Sequence, residues 1–362
     1  MIKNYTCLLG LFTLVFFCMS CSEDDSYVSI PTTNESPVTL DLTSVPYQNL
    51  SDYNFFEGRM ANLEPVNGVL PYKIISGLFI DYAKAQTFVW MPKGSQAKYV
   101  NDYSILDFPI GSVLITTHYF DNVLPSRNSQ MLETRLLIKK PEGWVLANYK
   151  WNEDQTEAKF TTDSHFVGVT FEDNEQTRTV NYKIPSYDEC YTCHNKYDEI
   201  LPIGPKPQNI NSDFAFRDGI KNQLKKWAEI GYLKNDYPGQ ITSVVNWEDE
   251  NQDLSMRVRS YLDINCAHCH SDKGYCEYAP IRFEFNKTEE ISNMGVDVVH
   301  TFGIDETLSH IVSPGDPEAS ALFFRISSTL DEFKMPIIGR SLQHKEGVEL
   351  LEDWIKSLDK NK

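Results

Sequence analysis

Short apolar runs separated by turn signals dominate the chain between residues 46 and 185. Seven of these runs have the composition of strands: KIISGLFI, TFVWM, SVLITTHYF, TRLLI, GWVLANYKW, HFVGVTF and TVNYKI. Runs of this length, rich in β-branched and aromatic residues, are typical of half-buried strands. The stretch IKKPEGWVL, with Pro-Glu-Gly at 141–143, predicts a hairpin turn. We therefore expect a β-rich domain over residues 46–185, either a sandwich or barrel-like.

Helical spacing replaces the strand pattern after residue 185. A first apolar stripe lies in the segment 186–248, at Ile220, Leu224, Trp227 and Ile230. Two more lie in the segment 249–362, the first at Leu254, Val258, Tyr261 and Leu262, and the second at Val348, Leu351, Trp354, Ile355 and Leu358. Apolar residues three and four apart predict amphipathic helices. The predicted fold class is α+β multidomain, with the β-rich domain followed by a mainly α-helical region.

The first 20 residues have the pattern of a secretory signal peptide. Lys3 precedes an apolar run from about Leu8 to Phe17, which is too short to span a bilayer. The run ends in a Cys-Met-Ser-Cys sequence that resembles a bacterial lipobox, with Cys21 as the lipidated first mature residue. Ordinary signal cleavage nearby is the alternative. Residues 21–45, rich in Ser, Thr, Asp, Glu and Pro, then predict a flexible tether from a membrane.

The chain is strongly acidic, with a formal net charge of −18 at pH 7. A negative field repels phosphate backbones, so nucleic acid is not an expected partner. A basic protein partner is the natural expectation, with solubility alone as the alternative explanation of the acidity.

Two Cys-x-x-Cys-His motifs are the clearest chemical signal. They comprise Cys190, Cys193 and His194 in the first copy, and Cys266, Cys269 and His270 in the second. Cys and His each occupy 8 of 362 positions, so roughly 0.004 such motifs would occur by chance. Two copies therefore have a chemical cause.

Covalent haem attachment is the chemistry that uses this order of residues. The two thiols can form thioethers with the vinyl groups of one porphyrin, and the adjacent histidine can bind the iron. A Cys₄ zinc site or a thioredoxin-like dithiol would leave both histidines without a role. We expect two haem c groups, one held by Cys190 and Cys193 and the other by Cys266 and Cys269. His268, inside the second motif, is expected to face solvent, and Cys276 has no assigned role.

The opposite axial ligands are predicted less directly. Met335 precedes a proline ahead of the last stripe and is the expected sixth ligand of the second iron, although a core gap-filling role is the alternative. The reserve ligands are His300, His310 and His344. No histidine lies between His194 and Cys266, so the sixth ligand of the first iron stays open. Its candidates are Met256, a group from the C-terminal region, or a β-domain residue among His118, His165, Met91 and Met131.

The whole arrangement resembles exported bacterial di-haem c-type cytochrome lipoproteins. The similarity runs over about residues 70–355 and includes PYKIISGLFIDYA, GWVLANYKWNEDQTEA, NYKIPSYDECYTCH and CAHCH. The helix, CxxCH, Met-Pro loop and closing helix of about 250–360 also resemble a class I cytochrome c domain. The family implies haem binding and electron transfer outside the cytoplasm. The SEDD that follows Cys21 is similar to sorting signals for the outer membrane, which implies a lipid anchor there on the periplasmic or cell-surface face.

Two functions of different classes remain open on the sequence. In the first, the chain is an electron carrier between an extracytoplasmic dehydrogenase or cytochrome and a further acceptor. In the second, it is a di-haem peroxidase-type enzyme with an open site on the first haem. Met335 would close one iron, and no distal catalytic set is visible, so the carrier is favoured over an enzyme. No G-x-S-x-G, P-loop or HExxH motif indicates what the β-rich domain binds.

The lipid anchor gives a first testable prediction. The wild-type chain should sediment with membranes, and Cys21→Ala should appear in the soluble fraction, because a thiol at this position is needed for acylation. Fractionation followed by immunoblotting measures the distribution. A Cys21→Ala chain that stays in the same membrane fraction would contradict lipidation at this residue.

Overall fold

A computed structural model describes residues 35–173, 176–300, 304, 307–308 and 310–359. The predicted signal peptide, Cys21 and the first part of the tether lie outside these residues. From Glu35 onward the chain forms one compact unit. These described residues are mainly β, with 29% strand and 20% helix. Within the described ranges, no helix is both long enough and apolar enough to cross a bilayer.

An antiparallel sheet of eight strands organises this unit. Along its main path the strand order is β10-β9-β5-β6-β7-β8, while β4 pairs with β5 and β3 pairs with β4. Three two-stranded ribbons, β1-β2, β11-β12 and β13-β14, lie outside it. The strands are β1 (Phe56–Glu57), β2 (Glu64–Pro65), β3 (Leu70–Tyr72), β4 (Lys84–Trp90), β5 (Val113–Val123), β6 (Asn128–Lys140), β7 (Gly143–Trp151), β8 (Ala158–Thr161), β9 (His165–Asp173), β10 (Gln176–Ile184), β11 (Asn195–Lys196), β12 (Glu199–Ile200), β13 (Asp213–Phe216) and β14 (Gly219–Asn222).

Six of the seven predicted strand runs are confirmed, and the β6–β7 turn lies where Pro-Glu-Gly predicted it. The run KIISGLFI is the exception, because β3 ends at Tyr72 and the chain is irregular from there to β4. Directly after this run, Asp81 and Tyr82 adopt positive φ values of 49° and 65°, which a continuous strand from the run into β4 would not allow. The apolar side chains of this segment pack in different directions: Ile80 packs on sheet residues, and Phe79 stacks on His344 in the C-terminal region.

The prediction of a sandwich or barrel is wrong. Among the described residues no second large sheet packs on the first, and the end strands of its main path, β10 and β8, do not pair to close a barrel. The faces of the sheet are covered by irregular chain and a helix instead. One face, with Ile115 and Leu136, packs against the segment that contains Leu50 and Tyr53. Val38, Leu40 and Leu42 also pack there, so the folded unit begins before residue 46. The other face, with Leu114, packs in part against Trp227.

The helices are short and separated by long irregular segments. They are α1 (Tyr187–His194), α2 (Pro207–Ile210), α3 (Gln223–Glu229), α4 (Leu254–Asn265), α5 (Ala321–Ser327) and α6 (Lys345–Ser357). The helices predicted near 254–262 and 348–358 are confirmed as α4 and α6, whose apolar faces share a core that includes Leu262 and Leu351. The stripe at 220–230 forms a helix only from Gln223, since Ile220 lies on β14 and is exposed.

The prediction of a mainly α-helical, cytochrome c-like haem region, and with it the α+β multidomain class, is wrong. Between α4 and α5, and again between α5 and α6, most of the described chain has no regular structure. Side chains bonded to backbone groups stabilise these stretches; Arg259, for example, donates to the carbonyl of Phe285. Helical periodicity could identify α4 and α6 but says nothing of the irregular chain between them.

The loop between β3 and β4 docks the C-terminal region against the sheet. The buried Asp81 carboxylate accepts hydrogen bonds from the backbone N–H groups of Ser341 and Leu342 at 2.7–2.8 Å, and from the Ser341 hydroxyl at 2.8 Å. Nearby, the Phe79 ring stacks on His344 at 3.9 Å between centroids. The Phe79 N–H also donates to the Asn265 side chain at 2.9 Å. These contacts connect the loop before β4 to the end of α4 and to the segment before α6.

Asp81 therefore gives a stability prediction. Asp81→Ala should lower the free energy of unfolding by about 3 kcal/mol, because buried backbone donors lose a charged acceptor. Chemical denaturation followed by circular dichroism measures the change.

Asp163→Ala is the matched control, since this exposed aspartate lies on the loop before β9. The control should change stability by no more than about 0.5 kcal/mol. Equal effects of the two substitutions would show that Asp81 has no special role in docking.

Candidate cofactor site

The first Cys-x-x-Cys-His motif lies on α1, directly after the edge strand β10. Ser186 caps the helix by accepting from the Glu189 N–H, and the Glu189 carboxylate accepts from the Ser186 N–H at 3.0 Å. In a helix, residues three and four apart lie on the same face. The helix therefore places Cys190, Cys193 and His194 together at the sheet.

A cavity of about 660 Å³ lies between this helix and one face of the sheet. Cys190 and His194 line it from α1, and His118, Arg135 and Asn148 line it from β5, β6 and β7. Cavities of about 300–1,000 Å³ with a few convergent polar groups are typical of cofactor sites.

His194 has the orientation expected of an iron ligand. Its Nδ1 lies 2.7 Å from the Leu201 carbonyl oxygen, and a carbonyl can only accept, so Nδ1 carries the proton. Burial lowers the pKa of His194 to about 4, which leaves the ring neutral at pH 7. Its Nε2 lone pair is then free to bind a metal, as in metal-binding histidines whose other ring nitrogen donates to a backbone carbonyl.

The second motif begins where α4 ends. Cys266 is the C-cap residue, and the His270 N–H donates to the Cys266 carbonyl at 2.9 Å. The chain then turns back so that the Cys276 N–H bonds the Cys269 carbonyl at 3.0 Å. A Cβ at Gly274 would lie 2.5 Å from the Cys269 oxygen, so only glycine allows this close approach.

A second cavity, of about 280 Å³, contains the predicted ligands of the second haem. Cys266, Cys269, His270 and Met335 all line it, as does His300. Burial lowers the pKa of His270 to about 4, so this ring is also neutral. The His270 Nδ1 is enclosed without a hydrogen-bond partner among the described residues. Buried polar atoms of this kind mark places that an ion, a cofactor or water completes.

Arg340 fixes the loop that carries Met335. Its guanidinium donates to the Met335 carbonyl at 3.0 Å and to the carbonyls of Leu342, Arg325 and Ser328 at 2.7–3.2 Å. The Met335 N–H donates to the Arg325 carbonyl at 3.0 Å. The position of the methionine is thus set by backbone contacts with α5.

The reserve ligands of the second haem have different surroundings. His300 lines the second cavity, and one of its ring nitrogens bonds the Leu308 carbonyl. His344 packs between Phe79, Trp247 and Tyr261, and its Nδ1 lies 3.0 Å from the Tyr261 hydroxyl. His310 forms backbone bridges in the segment before α5.

The two motifs meet at Cys193, His268 and Cys269. Their ligand atoms lie within 4.8 Å of one another, a spacing that can also hold a metal ion. The expectation that His268 faces solvent is wrong, because the residue is half-buried and its Nδ1 is enclosed. The 71 residues between His194 and Cys266 hide this contact from any local sequence pattern.

The five cysteine thiols in the described residues fall into two groups by the direction of their pKa shift, and Cys269 belongs to the raised group because of its hydrogen bonds with Cys193 and Cys276. Burial raises the pKa of Cys190 to about 11 and that of Cys266 to about 12. Hydrogen bonding with Cys269 lowers the pKa of Cys193 and lowers that of Cys276 to about 7. Cys276, which had no assigned role, therefore joins the contact between the motifs.

The surroundings of the five named candidates for the sixth ligand of the first haem iron differ. Only His118 among them lines the first cavity. Met91 and Met131 belong to apolar cores on opposite faces of the sheet. His165 is hydrogen-bonded to Thr161, and the sulfur of Met256 accepts from Arg259.

The residues present fit two covalently held haems. The first cavity combines the Cys190 thiol with the neutral His194 and with His118, and Cys193 is on the same helix. The second cavity combines the thiols of Cys266 and Cys269 with the neutral His270 and with Met335. Sequence reasoning missed Arg340, Asp81 and the sheet residues around His118, because none belongs to a motif. The sequence held one weak signal for the residues around His118, which was a charged residue inside an apolar strand run, Arg135 in TRLLI.

Comparisons with protein-family models, with curated proteins and with solved structures find no match to this chain.

Proposed function

We propose that this protein is a di-haem c-type cytochrome that transfers electrons outside the cytoplasm. One observation carries the proposal: Cys190 and His194 of the first motif line one cavity, all three residues of the second motif line another, and the motifs touch at Cys193 and Cys269. Cys193 lies on α1 with the first motif but lines the second cavity. Two cofactors attached at these residues would be neighbours.

The residues have separate tasks in this proposal. Cys190 and Cys193 would hold the first haem, and Cys266 and Cys269 the second. His194 and His270 would bind the irons through nitrogens that burial keeps unprotonated. Haem supplies an iron that gains and loses single electrons. The short separation of Cys193 from Cys269 would bring the two redox centres close enough for direct transfer.

The reaction is electron transfer without bond making. One electron enters from a donor protein, an extracytoplasmic dehydrogenase or a cytochrome, and one leaves to a further acceptor. The net charge of −18 favours basic partner surfaces and makes association dependent on salt. The proposed location is a lipid anchor at Cys21 in the outer membrane.

A bound metal ion is the competing assignment, and one observation favours it. Cys193, His268 and Cys269 approach one another without any cofactor, and Cys276 interacts with Cys269. Three thiols and one histidine form a common zinc ligand set. This assignment uses neither Cys190 nor His194, however, although both line the larger cavity.

The haem content is the first test of the proposal. The purified chain should contain two covalent haems and two irons, and Cys190→Ala/Cys193→Ala should retain one haem. A denatured pyridine haemochrome assay and elemental analysis measure both quantities.

Cys276→Ala is the control, because Cys276 belongs to the thiol contact but to neither motif. It should keep both haems. Stoichiometric zinc with no haem, lost in Cys276→Ala, would support the metal-ion assignment and reject the cytochrome.

Met335 gives a second prediction. Met335→Ala should lower the reduction potential of one haem by on the order of 0.1 V, a fraction of the ~0.8 V range set by axial ligands. It should also remove any long-wavelength sulfur-to-iron band from the oxidised spectrum. Spectroelectrochemistry measures both effects.

Met256→Leu is the control for this change, since Met256 lies on α4 and its sulfur accepts from Arg259. The control should leave the spectrum as it is. If Met335→Ala also leaves it unchanged, the ligand is not Met335, and His300, which lines the same cavity, is the next candidate.

A further inference from the structure

His118 stands out in the wall of the first cavity. It lies in β5 between Ala85 on β4 and Glu133 on β6, and its exposed fraction is 4%. Its Nδ1 is enclosed and has no hydrogen-bond partner within the described residues. Burial of an imidazole without partners is costly, so the sheet holds this ring at a free-energy cost.

A buried charge network orients the ring. The Glu133 carboxylate, with an exposed fraction of 0%, accepts two hydrogen bonds from Arg135 at 2.6 and 3.0 Å. The Tyr182 hydroxyl donates to it at 2.6 Å. Burial alone would raise the pKa of Glu133, but Arg135 and the other donors hold it below its usual value. Glu133 is therefore an anion inside the sheet.

This anion lies 3.6 Å from the His118 Nδ1. A carboxylate at that side favours the tautomer with the proton on Nδ1, which leaves the lone pair on Nε2. His194, which lines the same cavity from α1, likewise carries its proton on Nδ1. The cavity thus has one histidine from the helix and one from the sheet, each with Nε2 free.

We propose that His118 is the second axial ligand of the first haem and that Glu133 is its positioning residue. The inference rests on the proposed function, since it needs a haem on Cys190 and Cys193. In this arrangement a residue of the sheet, on β5, would bind the iron directly. With His194 and His118 both bound, the iron of the first haem would have no open site for peroxide.

The test compares two histidines of the same sheet in the full chain with its haems attached. His118→Ala should keep two haems per chain but convert one from low spin to high spin, because one axial ligand is lost. Added imidazole should restore the low-spin state. Electron paramagnetic resonance of the ferric protein measures the spin state, and the haemochrome assay measures haem content.

His165→Ala is the matched control, because His165 lies on β9 and bonds Thr161. It should leave both haems low-spin. If His118→Ala does not accumulate, His118→Met tests the same point: it should keep the low-spin state and raise the potential of one haem, since a sulfur ligand favours reduced iron. Glu133→Gln should raise the potential of that same haem at unchanged haem content, because the neutral amide no longer increases the basicity of the imidazole.

The possible failures are distinguishable. Two low-spin haems in His118→Ala, or unchanged potentials in His118→Met, would reject His118 as a ligand and leave the cytochrome intact. A high-spin first haem in the wild-type protein that turns over peroxide would reject it in favour of the peroxidase-type enzyme. A wild-type chain without covalent haem would reject the proposed function itself.

Discussion

Buried carboxylates must be paired, and this constraint fixes the main long-range contacts of the protein. Glu133, Asp81 and Asp263 all have exposed fractions of 4% or less. An unpaired charge in such a position would cost several kcal/mol, so each carboxylate must have donors from other parts of the chain. Glu133 takes them from β6 and β10, and Asp81 takes them from the loop before α6. Asp263 takes them from Lys206 and Gln208, near α2, and from the Phe285 N–H.

These three anchors decide where the two cysteine motifs lie. Asp263 is on α4, directly ahead of Cys266, and its bonds to Lys206 and Gln208 attach α4 to the segment that follows the first motif. Asp81 holds the C-terminal loop that leads from Met335 to α6. Glu133 accepts hydrogen bonds from Arg135, which lines the first cavity. The contact between Cys193 and Cys269 follows from anchors that lie outside both motifs.

The errors of prediction have a common physical origin. KIISGLFI has strand composition, but Phe79 stacks on His344 of the C-terminal region, and Asp81, the next residue after the run, has a positive φ. The region after α4 contains real helices, but Arg340 and similar side chains stabilise irregular chain between them. His268 is expected to face solvent because the loop that would hold the thioethers turns it away from the iron bound by His270, but the fold places it beside Cys193. In each case a partner distant in sequence supplied the decisive energy.

The sequence by itself determined the elements with strong periodicity and the residues with motif chemistry. β4 to β7, β9, β10, α4 and α6 could be predicted because alternation and helical spacing are local properties. The two CxxCH units could be identified because their residue order is improbable by chance. Only the tertiary structure decided that a single sheet is covered by irregular chain, that Cys193 lies beside Cys269, and that His118 shares a cavity with His194. Pairing of buried charges and enclosure of a cavity depend on residues far apart in the chain, and no local pattern encodes them.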